Sequence, residues 1–200
     1  MSATARVVPE GPLVVVTEPS LPEKLVAIDE AFDRHEIPHA FGGAIALAYY
    51  GEPRVTVDVD CNVFLPPEAI DAVARVLTPL GVDFSFDRAR VLADGQVRVM
   101  WGRTPVDIFF SYDPFHDAMQ ASTRRVPFGD VLIPILGPEH LVVCKALFDR
   151  PKDWLDIPQI LVGVEGFDAD DVRHWLDAVV GVNDQRRARF DDLARRLLSR

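Results

Sequence analysis

Cysteine is scarce: two in 200 residues, which excludes a disulfide framework and a cysteine-built zinc site. Both Cys61 and Cys144 sit among apolar neighbours and read as buried, reduced thiols. The five histidines show no metal-ligand spacing on one helix. No apolar run approaches the roughly 20 residues that cross a bilayer. The short run at 13–16 is too brief for a signal segment and lacks the usual basic stretch before it. The chain therefore reads as cytoplasmic, with no membrane partner. Internal repeats and low-complexity tracts are absent too. Basic side chains are the minority, 21 against 31 acidic, and a net charge of −10 argues against broad, non-specific nucleic-acid binding. One stretch departs from this balance. Residues 184–200 carry six arginines against three aspartates, either a surface for an acidic partner or a solvated helix face with internal ion pairs.

What is present suffices for a folded domain. Apolar residues make up 48% of the chain and charged residues 26%, enough for a core and too apolar for disorder. Ser20-Leu21-Pro22-Glu23 has the form of a capping box, with Leu21, Leu25, Ile28 and Phe32 following at helical spacing. A short strand is expected over 37–41, and a helix opens directly after Gly42-Gly43. The segment 55–65 alternates as one long strand, with Val57, Val59, Cys61 and Val63 on one face and Asp58, Asp60, Asn62 and Phe64 on the other. A helix follows from 66. Strands are expected around 82–86, 97–101 and 106–110, a β-rich stretch over 124–136, and helices over 139–148, 154–162, 169–180 and 184–198. The fold class expected is α+β, a mixed sheet with packed helices followed by a C-terminal helical subdomain. A soft boundary near Gly137-Pro138 divides residues 1–137 from 138–200.

The sharpest chemical feature is Asp58-Val59-Asp60. Strand alternation sends both carboxylates to one face, where they repel unless a hard cation joins them. The pattern alone is common, and a solvated strand edge gives it equally well. Gly42-Gly43, between a strand and a helix start, allows a phosphate to approach backbone amides, or simply makes a tight turn. Asp107 interrupts an apolar strand of Val106, Ile108 and Phe110, and completes a carboxylate triad if its strand neighbours that of Asp60. Arg54 and Thr56 could steer a triphosphate; equally, threonine simply favours strands. Arg98 and Arg103 flank the strand before Asp107 and could meet an acceptor phosphate, or be ordinary surface arginines. Asp153 is an N-cap candidate before Trp154. Trp101, Trp154 and Trp175 read as core or interface residues.

The series Gly42-Gly43, Tyr49-Tyr50-Gly51, Arg54 to Asp60 and Val106-Asp107-Ile108 resembles the nucleotidyltransferase superfamily, in the flavour of its AbiEii and MenT-like toxins. Pro138 to Lys145, then Arg150-Pro151-Lys152-Asp153 and Asp156, resembles the helical region of those proteins. The resemblance implies that Asp58 and Asp60 bind magnesium and the triphosphate, and that Asp107 is a third metal-binding carboxylate that orients or deprotonates the acceptor. It implies that Gly42 and Gly43 cradle phosphate, that Lys145 contacts phosphate with Lys152 as competitor, and that Asp153 and Asp156 support that lysine or the acceptor. Glycine at 43 departs from the Gly-Ser of the common pattern, so no serine hydroxyl is available there.

Three functions follow as expectations. The first is a magnesium-dependent nucleotidyltransferase toxin that moves a nucleotide from a nucleoside triphosphate to RNA, such as a tRNA end, or to a protein, with a cognate antitoxin as partner. The second is a nucleotidyltransferase acting on a small molecule such as an antibiotic, whose cationic forms suit an acidic surface. The third is a non-catalytic binding module on the same fold.

Overall fold

A computed structural model describes residues 18–198; the expected run at 13–16 lies outside the described residues. Helix α1 (Leu21–Arg34) starts as its sequence dictates: the Ser20 hydroxyl and Glu23 carboxylate close the capping box. A short strand, β1 (His39–Phe41), runs through Gly42 into α2 (Gly43–Leu47). The next strand is shorter than its alternation suggests. β2 spans Val59–Val63 only, and 52–58 is irregular, with Val55 92% and Val57 70% exposed. This corrects the expectation of a strand over 55–65: two arms of the chain, rather than a ladder, fix the segment, as described below.

After a 3₁₀ turn come α3 (Ile70–Leu77) and the two-residue β3 (Val82–Asp83). The strand expected over 82–86 ends early because a helix follows, α4 (Arg88–Asp94), started by the Asp87 carboxylate accepting the amides of Ala89 and Arg90. It stops at Gly95, φ +65°. Strands β4 (Gln96–Trp101) and β5 (Thr104–Phe110) form a hairpin. A further unanticipated helix, α5 (Pro114–Ala121), begins at the N-cap Asp113. Strands β6 (Arg124–Phe128) and β7 (Val131–Ile135) make a second hairpin, followed by α6 (Pro138–Phe148), α7 (Asp153–Gly163), α8 (Ala169–Val180) and α9 (Gln185–Leu198).

The seven strands form one mixed sheet in the order β3-β4-β5-β2-β1-β7-β6. β2 pairs with β5, and β1 with β7, in parallel; the other neighbours are antiparallel. The fold is the expected α+β class. On β5 burial alternates, with Val106, Ile108 and Phe110 buried and Asp107 and Phe109 less so. That apolar face and its β2 counterpart, Val59, Cys61 and Val63, share one core with Leu25, Ile28 and Phe32 of α1 and Leu141, Val142 and Leu176 from α6 and α8. The opposite face of β2 and β5 carries Asp60, Asn62, Asp107 and Phe109, and α2 packs against both β2 and α6.

Candidate active site

The register of β2 on β5 settles which carboxylates meet. Asp60 lies directly opposite Asp107, and Asp58, one residue before β2, lines the same cleft as Asp60. Adjacent strands are about 4.8 Å apart, so Asp60 and Asp107 face one space. Burial first, then the charges of Asp58 and Asp107, push the Asp60 carboxyl up to about 6; Arg150 and Lys145 act in the other direction. Among the described residues no side chain donates a hydrogen bond to Asp60.

Its two companions are already engaged. The Thr56 hydroxyl donates to the Asp58 carboxylate. Thr56 therefore serves from the irregular segment before β2. Asp107 is gripped by Arg98, its cross-strand partner on β4, through Nε to Oδ1 and Nη2 to Oδ2, both 2.6 Å. The three aspartates accordingly do not form a ready-made ligand set. Among the described residues, the one group of three whose ligand atoms lie within 4.8 Å of one another is Asp29, Asp33 and His39. There both imidazole nitrogens already have protein neighbours, Nδ1 the Ile37 carbonyl at 3.0 Å and Nε2 Asp29 at 3.1 Å, and the group lies apart from the two clefts.

The glycines matter for a reason the sequence does not show. Gly43 has φ +52°, and a Cβ there would lie 1.7 Å from Asp60 Oδ2. Position 43 is thus empty so that the Asp60 carboxylate can occupy it. The Gly42 amide is donated to the Asp60 carbonyl at 2.9 Å, so that N–H is not free for phosphate. The first amides of α2 beyond it have no partner within the helix by geometry alone.

On the other side stands Lys145 of α6, 3% exposed, with its ammonium 2.6 Å from Asp156 on α7. Asp156, also 3% exposed, accepts from Arg54 at 3.3–3.4 Å as well. Arg54 and the Thr56–Asp58 contact are the two arms that fix the irregular segment. Asp153 is not an N-cap: it lies inside α7, with no exposure of its side chain, and accepts from the Arg150 amide at 3.2 Å and guanidinium Nε at 2.6 Å. Its partner Arg150 thereby faces Asp60 and Asp58, a functional position that the sequence reading passed over within the Arg150-to-Asp156 string.

Two clefts meet at Asp60. One, of about 270 Å³, runs from Gly42, Gly43, Asp58 and Lys145 to an apolar end formed by Phe115, Met119, Leu141 and Val179; Lys152 lies on its wall. The other, of about 500 Å³, is lined by Asp87, Arg90, Asp94, Arg98 and Asp107. Phe109 and Phe148, ring centroids 5.7 Å apart, and Arg150 border both. Asp113 and His116 near the first cleft were not singled out in sequence; nothing in local spacing announces them.

The donor set suits a hard divalent cation. It offers carboxylate oxygens only, and Asp60, which accepts no side-chain hydrogen bond, has its ionised form disfavoured first by burial and then by the like charges of Asp58 and Asp107, a penalty that a cation would remove. The basic segment at 184–200 resolves differently. On α9, Arg186 pairs with Asp184, Arg187 with Asp177 and Asp191, Arg195 with Asp192, and Arg189 lies over the Trp154 ring at 4.2 Å. Most of the arginines on this helix are thus paired within the chain, Arg196 reaching only the Asp192 carbonyl.

No family model and no curated protein matches the chain. Solved structures do. The antibiotic-resistance factor ANT(2'')-Ia superposes with a TM-score of 0.57 at 17% identity, over 86% of this chain and 94% of its own. The lincosamide antibiotic adenylyltransferase LnuA, lincomycin-bound, gives 0.50 at 12% identity over 68% and 94%. An antigenic nucleotidyltransferase-like protein from Paracoccidioides brasiliensis gives 0.51 at 15% identity over 86% and 87%. At these identities the likeness is one of fold, and the chain has the mixed α+β architecture of nucleotidyltransferases. Among the described residues no helix is long and apolar enough to cross a membrane.

Proposed function

We propose that the protein is a magnesium-dependent nucleotidyltransferase. The carrying observation is the register Asp60 to Asp107, which puts two strand carboxylates beside Asp58, Gly43 and Lys145 at the meeting of two clefts. Asp58 and Asp60 would hold the cation, and Asp107 would complete its ligands. Bound magnesium would neutralise the triphosphate and the departing pyrophosphate. The first amides of α2 and the Lys145 ammonium hold phosphate oxygens, and Asp156 and Arg54 keep that ammonium aimed. Asp107 orients the acceptor and takes its proton as the acceptor oxygen bonds to the α-phosphorus. The bond from that phosphorus to the bridging oxygen breaks, and pyrophosphate leaves. Gly42 shapes the turn and fixes the Asp60 backbone.

The acceptor has two readings. The resemblance to AbiEii and MenT-like toxins supports RNA, such as a tRNA end, or a protein, with a cognate antitoxin. The pairing of the α9 arginines favours a small-molecule acceptor instead, since the one basic stretch is mostly paired within the chain. The second cleft carries four aspartates against three arginines, Asp60, Asp87, Asp94 and Asp107 against Arg90, Arg98 and Arg150, a slight acidic excess that suits a cationic acceptor of the kind an aminoglycoside presents. The purified protein, given each α-labelled nucleoside triphosphate with magnesium, cell RNA, cell protein and a panel of aminoglycosides and lincosamides, should label one class. Asp60→Asn should lower that transfer by about 10³-fold or more. Full transfer by Asp60→Asn would remove the assignment. Toxicity on overexpression would favour the first acceptor reading, and drug resistance the second.

A further inference from the structure

Several ion pairs border the site, and one of them engages an aspartate of the strand pair directly. Lys145–Asp156 is buried on both sides, with side chains 4% exposed, and Arg150, 47% exposed, meets an Asp153 side chain with no exposure. Such pairs stay closed, because opening them strands a charge away from water. Arg98–Asp107 has its cation 61% exposed. Its fork engages both oxygens of Asp107. The antiparallel register of β4 on β5 places the two residues directly opposite, so the pair is built into the sheet. Opening it returns the guanidinium to water, while Asp107, 14% exposed, needs another cation in its place.

We propose that Arg98 is a latch on Asp107. It holds the third carboxylate apart from Asp58 and Asp60, so the cation site is completed only when this pair opens. The inference rests on the metal reading above and extends it by assigning the competing ligand. Three features carry it: both Asp107 oxygens are engaged, the three aspartates have no mutually close set of oxygens, and the competing cation is solvent-exposed. Arg90 lines the same cleft and carries the same charge, but pairs with Asp94 on its own helix and makes no contact with Asp107. It therefore separates a specific latch from a general effect of nearby positive charge.

The test is manganese affinity by calorimetry, without nucleotide, in wild type, Arg98→Gln, Arg98→Lys, Arg90→Gln and Asp60→Asn. Arg98→Gln should bind manganese roughly three- to tenfold more tightly than wild type, as expected for loss of a bidentate but exposed competitor. Arg98→Lys keeps the charge but loses the fork, and should fall between the two. Arg90→Gln should stay within about twofold of wild type. In an Asp107→Asn background, adding Arg98→Gln should change nothing further. Equal or weaker binding by Arg98→Gln, or the same gain from Arg90→Gln, overturns the latch while leaving the metal site standing. Undiminished binding by Asp60→Asn overturns the metal site and the latch with it. Melting temperatures read in parallel separate any loss of folding from loss of binding.

Discussion

The carboxylates of the C-terminal helices and those of the cleft face live under opposite electrostatic conditions. On and beside α9, every aspartate of the network has an arginine: Arg186 holds Asp184 down to about 2. For Asp191, burial works the other way, yet Arg173 and Arg187 still hold its carboxyl below the usual range. At the junction of the clefts, Asp60 has neighbours of its own sign and a carboxyl pushed up to about 6. The same residue type stabilises one region and burdens the other. A region that only holds the fold together closes its charges internally. A region that must receive a charged ligand keeps one open, and the fold carries the cost.

This contrast can be broken at several points. The largest effect on stability should come from Asp156→Asn. It leaves the buried Lys145 ammonium without its counter-charge, at a cost of about 3–5 kcal/mol that urea unfolding would read. A change under about 1 kcal/mol would mean that the Lys145 side chain finds water or another partner instead.

Next is the pH dependence of the metal-free protein, measured in a chelator. The folded Asp60 carboxyl lies above its ordinary value, so the fold prefers its protonated form. Its stabilising contribution is complete below about pH 4 and is lost as pH rises through about 6, a swing of roughly 2–3 kcal/mol. Asp60→Asn should flatten that window and melt higher than wild type at neutral pH, while transferring no nucleotide. Equal melting of the two proteins at neutral pH would show that Asp60 is not a burden.

Gly43→Ala adds a methyl group where Asp60 Oδ2 now lies and forces a non-glycine residue to φ +52°. A destabilisation of about 1–2 kcal/mol is expected, with a larger loss of cation affinity than of fold. The smallest effect should be Arg187→Gln on α9, about 1 kcal/mol or less, with transfer activity unchanged. Reduced labelling of RNA by this variant, at unchanged labelling of a small acceptor, would reopen the nucleic-acid reading.

Parts of this were legible in the chain. The capping box at Ser20 announced α1 because its signal is local, whereas the alternation expected to put Asp58 and Asp60 on one strand face begins only at Val59. The strand over 55–65 misled because Val55, Thr56 and Val57 have strand propensity but no neighbouring strand to bond; Arg54 reaching Asp156 decides their path. Helix α4 was missed although Asp87 and Gly95 mark its two ends, since seven residues give too little periodicity to see. The meeting of Asp60 with Asp107 depends on a parallel pairing across a long separation, and the grip of Arg98 on Asp107 on a second register beside it. Neither is encoded in local spacing. The requirement for glycine at 43 likewise comes from a side chain 17 positions away, so the sequence alone offered a phosphate turn where the structure adds a packing necessity.

The central claim is that the open charge at Asp60 exists to be closed by a divalent cation. Thermal melting with and without magnesium and a nucleoside triphosphate tests it most directly. Wild type should melt several degrees higher when both are present, as expected for ligand binding to the folded state alone, and Asp60→Asn should show no such shift. An equal shift in both proteins, or none in wild type, would contradict the account.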